Sequence, residues 1–439
     1  MFNKSDIQKV TGMDIVISAD MIKKIEEWVK MYKGKAPWCD DYIKSLKLEQ
    51  GICREFSDVV LSEMTISVSN KKLDDIIQKS TSSLSENLQA GLAYGSFILK
   101  PLGADKYEFV TADKFVPISF DDAGDITACV FVSRKKVKDD SFYTRFELHE
   151  LTKEGLHIHN WAYHSNNETD IGRPCELSEV YEWSGLLEDV IYPSVKQIDF
   201  GYYRNPIKNE IDDTFAGVSI YESATELIRK ADIQFGRLDW EYESGERVLH
   251  VDITALQATP QIGVDGKTHY QTPKLNKRLY RGLNLTGKGE DLYKEWSPEF
   301  RDENLIRGLE QIKRNIEFNV GLAYGDLSDV QSVEKTATEI KHAKQRKYNR
   351  VNAIERNLSK CLEGFCWGLA FYNGLTTSGY EVTINFNDSI LTDEEAERKE
   401  DRQDLANGTL RPEEYRAKWR GETIEEALKN LPQTSQVIE

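Results

Sequence analysis

The chain has 439 residues, 39% of them hydrophobic, and 57 Lys and Arg stand against 74 Asp and Glu for a formal charge of −17. Such a length supports several hydrophobic cores and more than one domain, while the acid excess argues against wrapping nucleic acid, which needs clustered cations on the phosphates. No run approaches eighteen apolar residues, so no membrane span is expected, and Met1 to Ile15 alternates charged and apolar residues, unlike a secretory leader.

The first ninety or so residues predict helices. Ile22, Ile25, Trp28, Val29 and Tyr32 share one face, and Leu48, Ile52, Phe56, Val59 and Val60 a second. Leu73, Ile76, Ile77, Leu84 and Leu88 form a third, which ends at Gly91 to Gly95. From 95 to 165 the pattern is that of an antiparallel β-meander. SFILKPL, YEFV, FVPISF, ITACVFVSR, FYTRFELHEL and LHIHNWAYH alternate or run apolar between turn formers such as Asp121-Asp122-Ala123-Gly124. Residues 166–217, punctuated by Asn166-Asn167, Gly172, Pro174, Pro193 and Pro206, read as mostly loop.

A long amphipathic helix follows, with Ile220, Tyr221, Ala224, Leu227, Ile228, Ala231, Phe235 and Leu238 at helical spacing up to Gly245. A compact αβ insert runs from Arg247 to about Ser297 and opens on the strand RVLHVDIT. Leu305, Leu309, Ile312, Ile316 and Val320 then mark a second amphipathic helix, which stops at Gly325 and the turn formers Asp326 to Asp329. Thr336 and Glu339 make a capping box for a third, whose stripe is Ile340, Tyr348, Val351, Ile354, Leu358, Leu362, Phe365 and Leu369. About 37 residues, on the order of 55 Å, is too long for an ordinary globular helix and spans something large. The strand EVTINF at 381–386 precedes a charged helical tail with capping boxes at Thr392/Glu395 and Thr423/Glu426.

Few motifs carry chemistry. Cys39, Cys53, Cys129, Cys175, Cys361 and Cys366 form no CxxC pair and read as reduced, mostly buried thiols of a protein made in a cytoplasm. His157 and His159 share a strand face and His149 could supply a third ligand, but no further ligand is evident, so a partly exposed strand face is expected and no metal or cofactor. GLAYG occurs at 91–95 and 321–325, where helix-ending chemistry accounts for both copies. Lys267, Lys274, Lys277, Arg278, Arg281 and Lys288 meet only Asp265 and Glu290 between Pro260 and Glu290. They suit either an acidic partner, protein or DNA, or a solvated loop face. Lys341, Lys344, Arg346, Lys347 and Arg350 surround their helix and read as partners of neighbouring acids. No P-loop, G-x-S-x-G, G-x-G-x-x-G, H-E-x-x-H or kinase signature is present, and no catalytic residue is assigned.

The order of parts is more telling: a helical and β-rich domain, long helix, small insert, long helix, loop, very long helix, strand and helical tail. In that order, and in segments such as MYKGKAPW, ADKFVPISFDDAGDITACVFV, GVSIYESATELIRKADIQFGRLDWEYE, RLYRGLN, SPEFRDENLIRGLEQIKRNIEFNVGLAYG, EKTATEIKHAKQRKY and DEEAERKEDRQD, the chain resembles the portal proteins of long-tailed, siphovirus-type phages and prophages of Gram-positive bacteria. The resemblance covers about 17 to 430.

It implies an α+β portal-type fold: a wing over 1–217 and 336–390, stem helices at 218–246 and 298–324, a clip at 247–297, a tunnel loop at 325–335 and a short crown at 391–439. It also implies a dodecameric ring at one capsid vertex of the virion, assembled in the bacterial cytoplasm, through which double-stranded DNA is packaged and ejected. Its partners would be the terminase large subunit, a head–tail adaptor, and the major capsid and scaffolding proteins. Asp326, Ser328, Asp329, Gln331 and Lys335 would face the DNA, and the clip cations a partner. Leu227, Ala231, Phe235, Leu305, Leu309, Ile312 and Ile316 would lie between stem subunits. Twelve chains at −17 carry −204, a wall that repels phosphate and lets a polymer move. Two other classes fit the residues less well: a hydrolase using Trp161, Tyr163, Tyr181 and Trp183 of the β region as a stacking surface, and a monomeric helical scaffold or adaptor.

Overall fold

The computed structural model describes residues 4–138, 140–245, 248–252, 259–262, 268–271, 280–283, 293–296, 299–329, 337–375, 379–386, 394–420 and 423–431. Five helices open the chain, α1 (Lys4–Thr11), α2 (Ala19–Tyr32), α3 (Leu48–Leu61), α4 (Lys71–Thr81) and α5 (Leu84–Tyr94), with β1 (Thr65–Val68) between α3 and α4. Their apolar faces are those expected: Ile22, Ile25 and Trp28, then Ile52, Phe56 and Val60, then Leu73, Ile76 and Ile77 are all buried. Side chains set two of the starts. Ser18 accepts from the Met21 N–H to cap α2, and Asn70 accepts from Lys72 and Leu73 to cap α4.

Nine strands follow: β2 (Ser96–Pro101), β3 (Tyr107–Thr111), β4 (Phe115–Phe120), β5 (Ile126–Lys138), β6 (Ser141–Leu151), β7 (Gly155–Ser165), β8 (Arg173–Cys175), β9 (Asp189–Pro193) and β10 (Gly201–Arg204). The single meander expected over 95–165 is split in two. β2 lies between β10 and β3 in one sheet, while β4 to β8 run in order in a second, with β9 also paired to β7. β8 takes Ala162 to His164 and β9 takes Gly155 to His159, so two short strands share one edge of β7. The segment 166–217 is mostly loop, as expected, but it carries three short strands that the sequence did not reveal. Its strands are short and proline-punctuated, and their ladders exist only because β2 and β7 supply partners from outside the segment.

Next come α6 (Thr225–Ser244), the insert strands β11 (Val248–Asp252), β12 (Thr259–Ile262), β13 (Thr268–Gln271), β14 (Tyr280–Leu283) and β15 (Tyr293–Trp296), then α7 (Asp302–Val320). In the insert β11 is central, parallel to β14 and antiparallel to β15, and β12 pairs with β13. An αβ insert was expected; among the described residues it is entirely strand. The chain closes with α8 (Ala337–Tyr372), β16 (Val382–Asn385), α9 (Glu394–Asn407), α10 (Pro412–Arg420) and α11 (Ile424–Lys429). The capping box at Thr423/Glu426 is formed, whereas Thr336 and Thr392 lie outside the described residues. None of the described helices is long and apolar enough to cross a membrane.

α6 and α7 pack antiparallel. At the insert end the Glu241 carboxylate accepts from the Arg301 backbone N–H at 3.0 Å, from Nε at 3.1 Å and from the guanidinium terminus at 2.6 Å. Midway, the Gln234 amide donates to the Leu305 carbonyl at 3.1 Å, and at the far end Ser223 Oγ donates to the Asn319 carbonyl at 3.2 Å. Ile228, Ala231, Leu309 and Ile316 are buried in this protomer, while Leu227, Phe235, Leu305 and Ile312 are half-buried. The stripes expected between subunits are thus largely consumed inside one chain. Two tethered helices meet at a far higher effective concentration than two separate copies. Among the large apolar side chains the pair leaves outside are Trp240, 64% exposed, Phe318 at 57%, Tyr242 at 43% and Ile306 at 41%.

α8, 36 residues and about 54 Å long, lays Val351, Ile354, Leu358, Leu362, Phe365 and Leu369 into the core with no exposure. It approaches the sheet closely because glycines stand at the crossing. A Cβ on Gly201 of β10 would come 1.9 Å from the Cys361 carbonyl oxygen, and one on Gly368 would come 2.1 Å from that of Asp199. Beyond α8 the chain returns, and β16 pairs antiparallel with β1, Thr65 opposite Asn385.

Buried charge ties these layers together. Lys100 of β2 donates to Glu147 of β6, which also takes Arg145 at 2.8 Å and His149 at 3.1 Å; His149 reaches Asp199 at 2.7 Å, and Asp199 accepts from Tyr372 of α8 at 2.6 Å. Burial alone pushes Glu147 up, but Lys100, His149 and Arg145 outweigh it and hold the carboxyl well below its usual range. Asp199 is held down in the same way, chiefly by His149 against its own burial. Glu49 of α3 has no such support. Its carboxylate is fully buried with no hydrogen-bond partner on another of the described residues, and burial with Asp232 nearby lifts it from 4.5 to about 7.

Gly201→Ala is expected to cost about 2–3 kcal/mol in denaturant unfolding, because the added methyl meets backbone rather than a movable side chain. Gly185→Ala, with nothing within 4 Å, should stay within about 0.5 kcal/mol. Glu49 binds more protons folded than unfolded between pH 4.5 and about 7, so stability falls as pH rises through that window, by roughly 3 kcal/mol. Glu49→Gln should abolish this fall, and chemical denaturation at pH 5 and pH 8 measures it.

Candidate functional site

The segment leaving α7 is built on one carboxylate. α7 ends because Gly321 turns left-handed at φ +91°, its N–H and that of Leu322 both returning to the Glu317 carbonyl. Glu317 itself has no solvent exposure. Its Oε1 accepts from the backbone N–H groups of Gly325, Leu327 and Ser328 at 3.1, 2.7 and 2.8 Å, and its Oε2 from the Ser328 hydroxyl at 2.9 Å. The irregular chain from Gly321 to Ser328 thus folds around the acid. About two turns further back on α7, Glu310 accepts from the Asp329 N–H at 2.6 Å and pairs with Lys313 at 2.8 Å.

α8 holds the same segment from the other side. Lys347 bridges Asp326 at 3.1 Å and Glu55 of α3 at 2.6 Å. The Arg346 guanidinium donates to the Leu322 carbonyl at 3.2 Å and lies over the rings of Phe318 and Tyr324 at 4.8 and 5.2 Å. Burial raises Asp326, with Lys347 pulling the other way. Arg350 donates to the Pro206 carbonyl at 3.1 Å. Among the described residues of this cationic stretch only Lys347 is seen pairing with acids as expected; Arg346 and Arg350 instead donate to backbone carbonyls, and Lys344 is exposed.

Of the residues expected to face DNA, Ser328 is buried on Glu317 and Asp326 is half-buried on Lys347, both turned into the protomer. Asp329 is exposed, its N–H held by Glu310; Gln331 and Lys335 lie outside the described residues. Of the insert cations, Arg281 sits on β14 opposite His250 of β11, and Lys267, Lys274, Lys277, Arg278 and Lys288 lie outside the described residues. The aromatic residues weighed as a stacking wall do not form one. Trp183 is buried, Tyr181 is exposed, Tyr163 packs edge-on to Phe146 and Trp161 on His159.

The loop thus leaves a two-helix stem at the end opposite the insert and is braced by the start of a very long helix. Searched against families, residues 63–420 match the model described as phage portal protein, SPP1 Gp6-like. The chain belongs to that family. The match covers both sheets, the stem pair, the insert, α8 and most of the tail helices, and no curated protein matches the chain. Membership makes this a structural, non-catalytic protein of the phage capsid and its genome-packaging channel, with the mixed α/β portal fold.

Sequence reasoning placed the loop but missed Glu317 as its organiser. The available signal was an acid interrupting the stripe between Ile316 and Val320, eight residues before Gly325. Also missed was the division of labour within the two GLAYG copies. Gly95 at φ +95° closes α5 at the end of the first, whereas Gly321 at the start of the second closes α7.

Glu317→Ala leaves three backbone donors and a hydroxyl without their acceptor, an expected cost of about 3 kcal/mol. Hydrogen exchange at Gly325, Leu327 and Ser328 should quicken roughly a hundredfold, while Glu317→Gln, which keeps an acceptor oxygen, should quicken it far less. Unchanged protection in Glu317→Ala would remove the acid from its organising role.

Proposed function

We propose that twelve copies of this protein close into a ring at one vertex of the capsid, and that double-stranded DNA enters and leaves through its axis. The terminase large subunit docks on the insert during filling and a head–tail adaptor afterwards; major capsid and scaffolding proteins surround the wing. In this arrangement 1–217 and 336–390 are the wing, 218–246 and 298–324 the stem, 247–297 the clip, 325–335 the tunnel loop and 391–439 the crown. The observation that carries it is the family match over 63–420 together with the antiparallel pair α6 and α7, which brackets the insert at one end and launches the loop at the other.

Electrostatics favour a conduit. A subunit at −17 repels the phosphate backbone, so DNA near the wall is not gripped. With Glu317, Lys347 and Glu310 anchoring 321–329, the DNA-facing role falls in this proposal to the loop positions that follow, Gln331 and Lys335 among them. Because the stem stripes are consumed within the protomer, the contacts between subunits are assigned to the outer residues Trp240, Ile306 and Phe318.

Light scattering with negative-stain imaging tests the ring: twelve 50.4 kDa chains give a particle of about 600 kDa with an axial hole. A single-chain mass with no rings at any concentration would overturn it. Trp240→Glu should reduce the mass to that of smaller species while leaving circular dichroism unchanged, since the residue is exposed. Leu309→Asp should instead unfold the protomer, at several kcal/mol for an unpaired buried carboxylate.

A further inference from the structure

We propose that His157, His159 and Asp189 form a binding site for a divalent transition-metal ion, with Zn²⁺ the best match to the donor set. His157 and His159 alternate along β7 onto one face, and β9 places Asp189 directly opposite His159 with Ile191 opposite His157. All three ligand atoms lie within 4.8 Å of one another. His157 Nε2 stands 2.6 Å and His159 Nδ1 2.8 Å from the same carboxylate oxygen, Asp189 Oδ1. Two imidazoles and a carboxylate converging on one point are a donor set suited to zinc, with bonds near ~2.0–2.2 Å. In a tetrahedral shell such ligands sit about 3.4 Å apart, so an ion enters by replacing the two His–Asp189 hydrogen bonds, with the carboxylate sliding outward and the imidazoles adjusting about it. Asp189 is free to do this: its side chain is 52% exposed, against 26% and 28% for the two imidazoles. That exposure also admits the water that completes the shell.

The site is not the one the sequence suggested. His149 lies opposite Ile158 in the β6–β7 register, so it points to the other face, where Glu147 and Asp199 bind it. The third ligand comes instead from β9, an unforeseen strand. An ion here would staple β9 to the edge of β7. It would also sit beside Trp161, whose ring stacks on His159 with centroids 4.1 Å apart.

The test is a calorimetric titration of the untagged full-length protein with Zn²⁺, paralleled by Co²⁺, which reports through its visible absorption and through quenching of tryptophan emission that is lost in Trp161→Phe. One ion per chain is expected. His157→Ala with His159→Ala should abolish binding, and the near-isosteric Asp189→Asn should weaken it roughly tenfold or more, all with unchanged circular dichroism. Absence of binding in the unaltered protein at millimolar Zn²⁺, or one-to-one binding that survives in the double variant, would overturn the site.

Discussion

The antiparallel pairing of α6 and α7 is the constraint on which the rest of the molecule depends. Glu241 with Arg301 closes one end of the pair, and Ser223 with Asn319 the other. Between those ends Ile228, Ala231, Leu309 and Ile316 exclude water. Once the two rods are clasped, the insert can only emerge at the Glu241 end, and the chain after α7 can only emerge at the other. A stem with one module at its tip and one loop at its base follows from the pairing alone. The same clasp uses the inner stripes and leaves the outward residues Trp240, Phe318 and Ile306 as the apolar surface of the stem.

Charge is handled in two different ways in this chain. On the surface, acids exceed bases and confer repulsion toward polyanions. Inside, charges are satisfied by several partners each: Glu147 by three, Asp199 by two, Glu317 by four donors. Multiplicity is what makes these buried groups tolerable, since one partner seldom offsets the loss of water. The three clusters sit at joints. Glu147 and Asp199 join the two sheets to α8, and Glu317 joins α7 to the loop that precedes α8. Glu49, buried without a hydrogen-bond partner on another of the described residues, shows what the alternative looks like, its carboxyl pushed up to about 7.

Helical periodicity was the most legible signal. The faces of α2, α3, α4, α6, α7 and α8 coincide with the apolar stripes, because a stripe at 3.6-residue spacing has one geometric interpretation over four or more turns. Strand existence was legible too, through alternation in β5, β6 and β7. Sheet membership was not. β2 and β3 leave their sequence neighbours to join β10, a pairing set by partners about a hundred residues apart. β9 and β10 were missed altogether, since four or five residues beside prolines carry too little pattern to separate strand from loop.

By itself, then, the sequence determined the helices, their buried faces, the loop at Gly325, the acidic surface and the order of parts that marks a portal protein. These are local or additive properties, readable from spacing and composition. Only the tertiary structure decided that the stem stripes face each other, that Ser328 turns inward onto Glu317, and that Asp189 rather than His149 meets His157 and His159. Each of those depends on which of two possible faces a distant segment presents, and that is settled by packing across the fold.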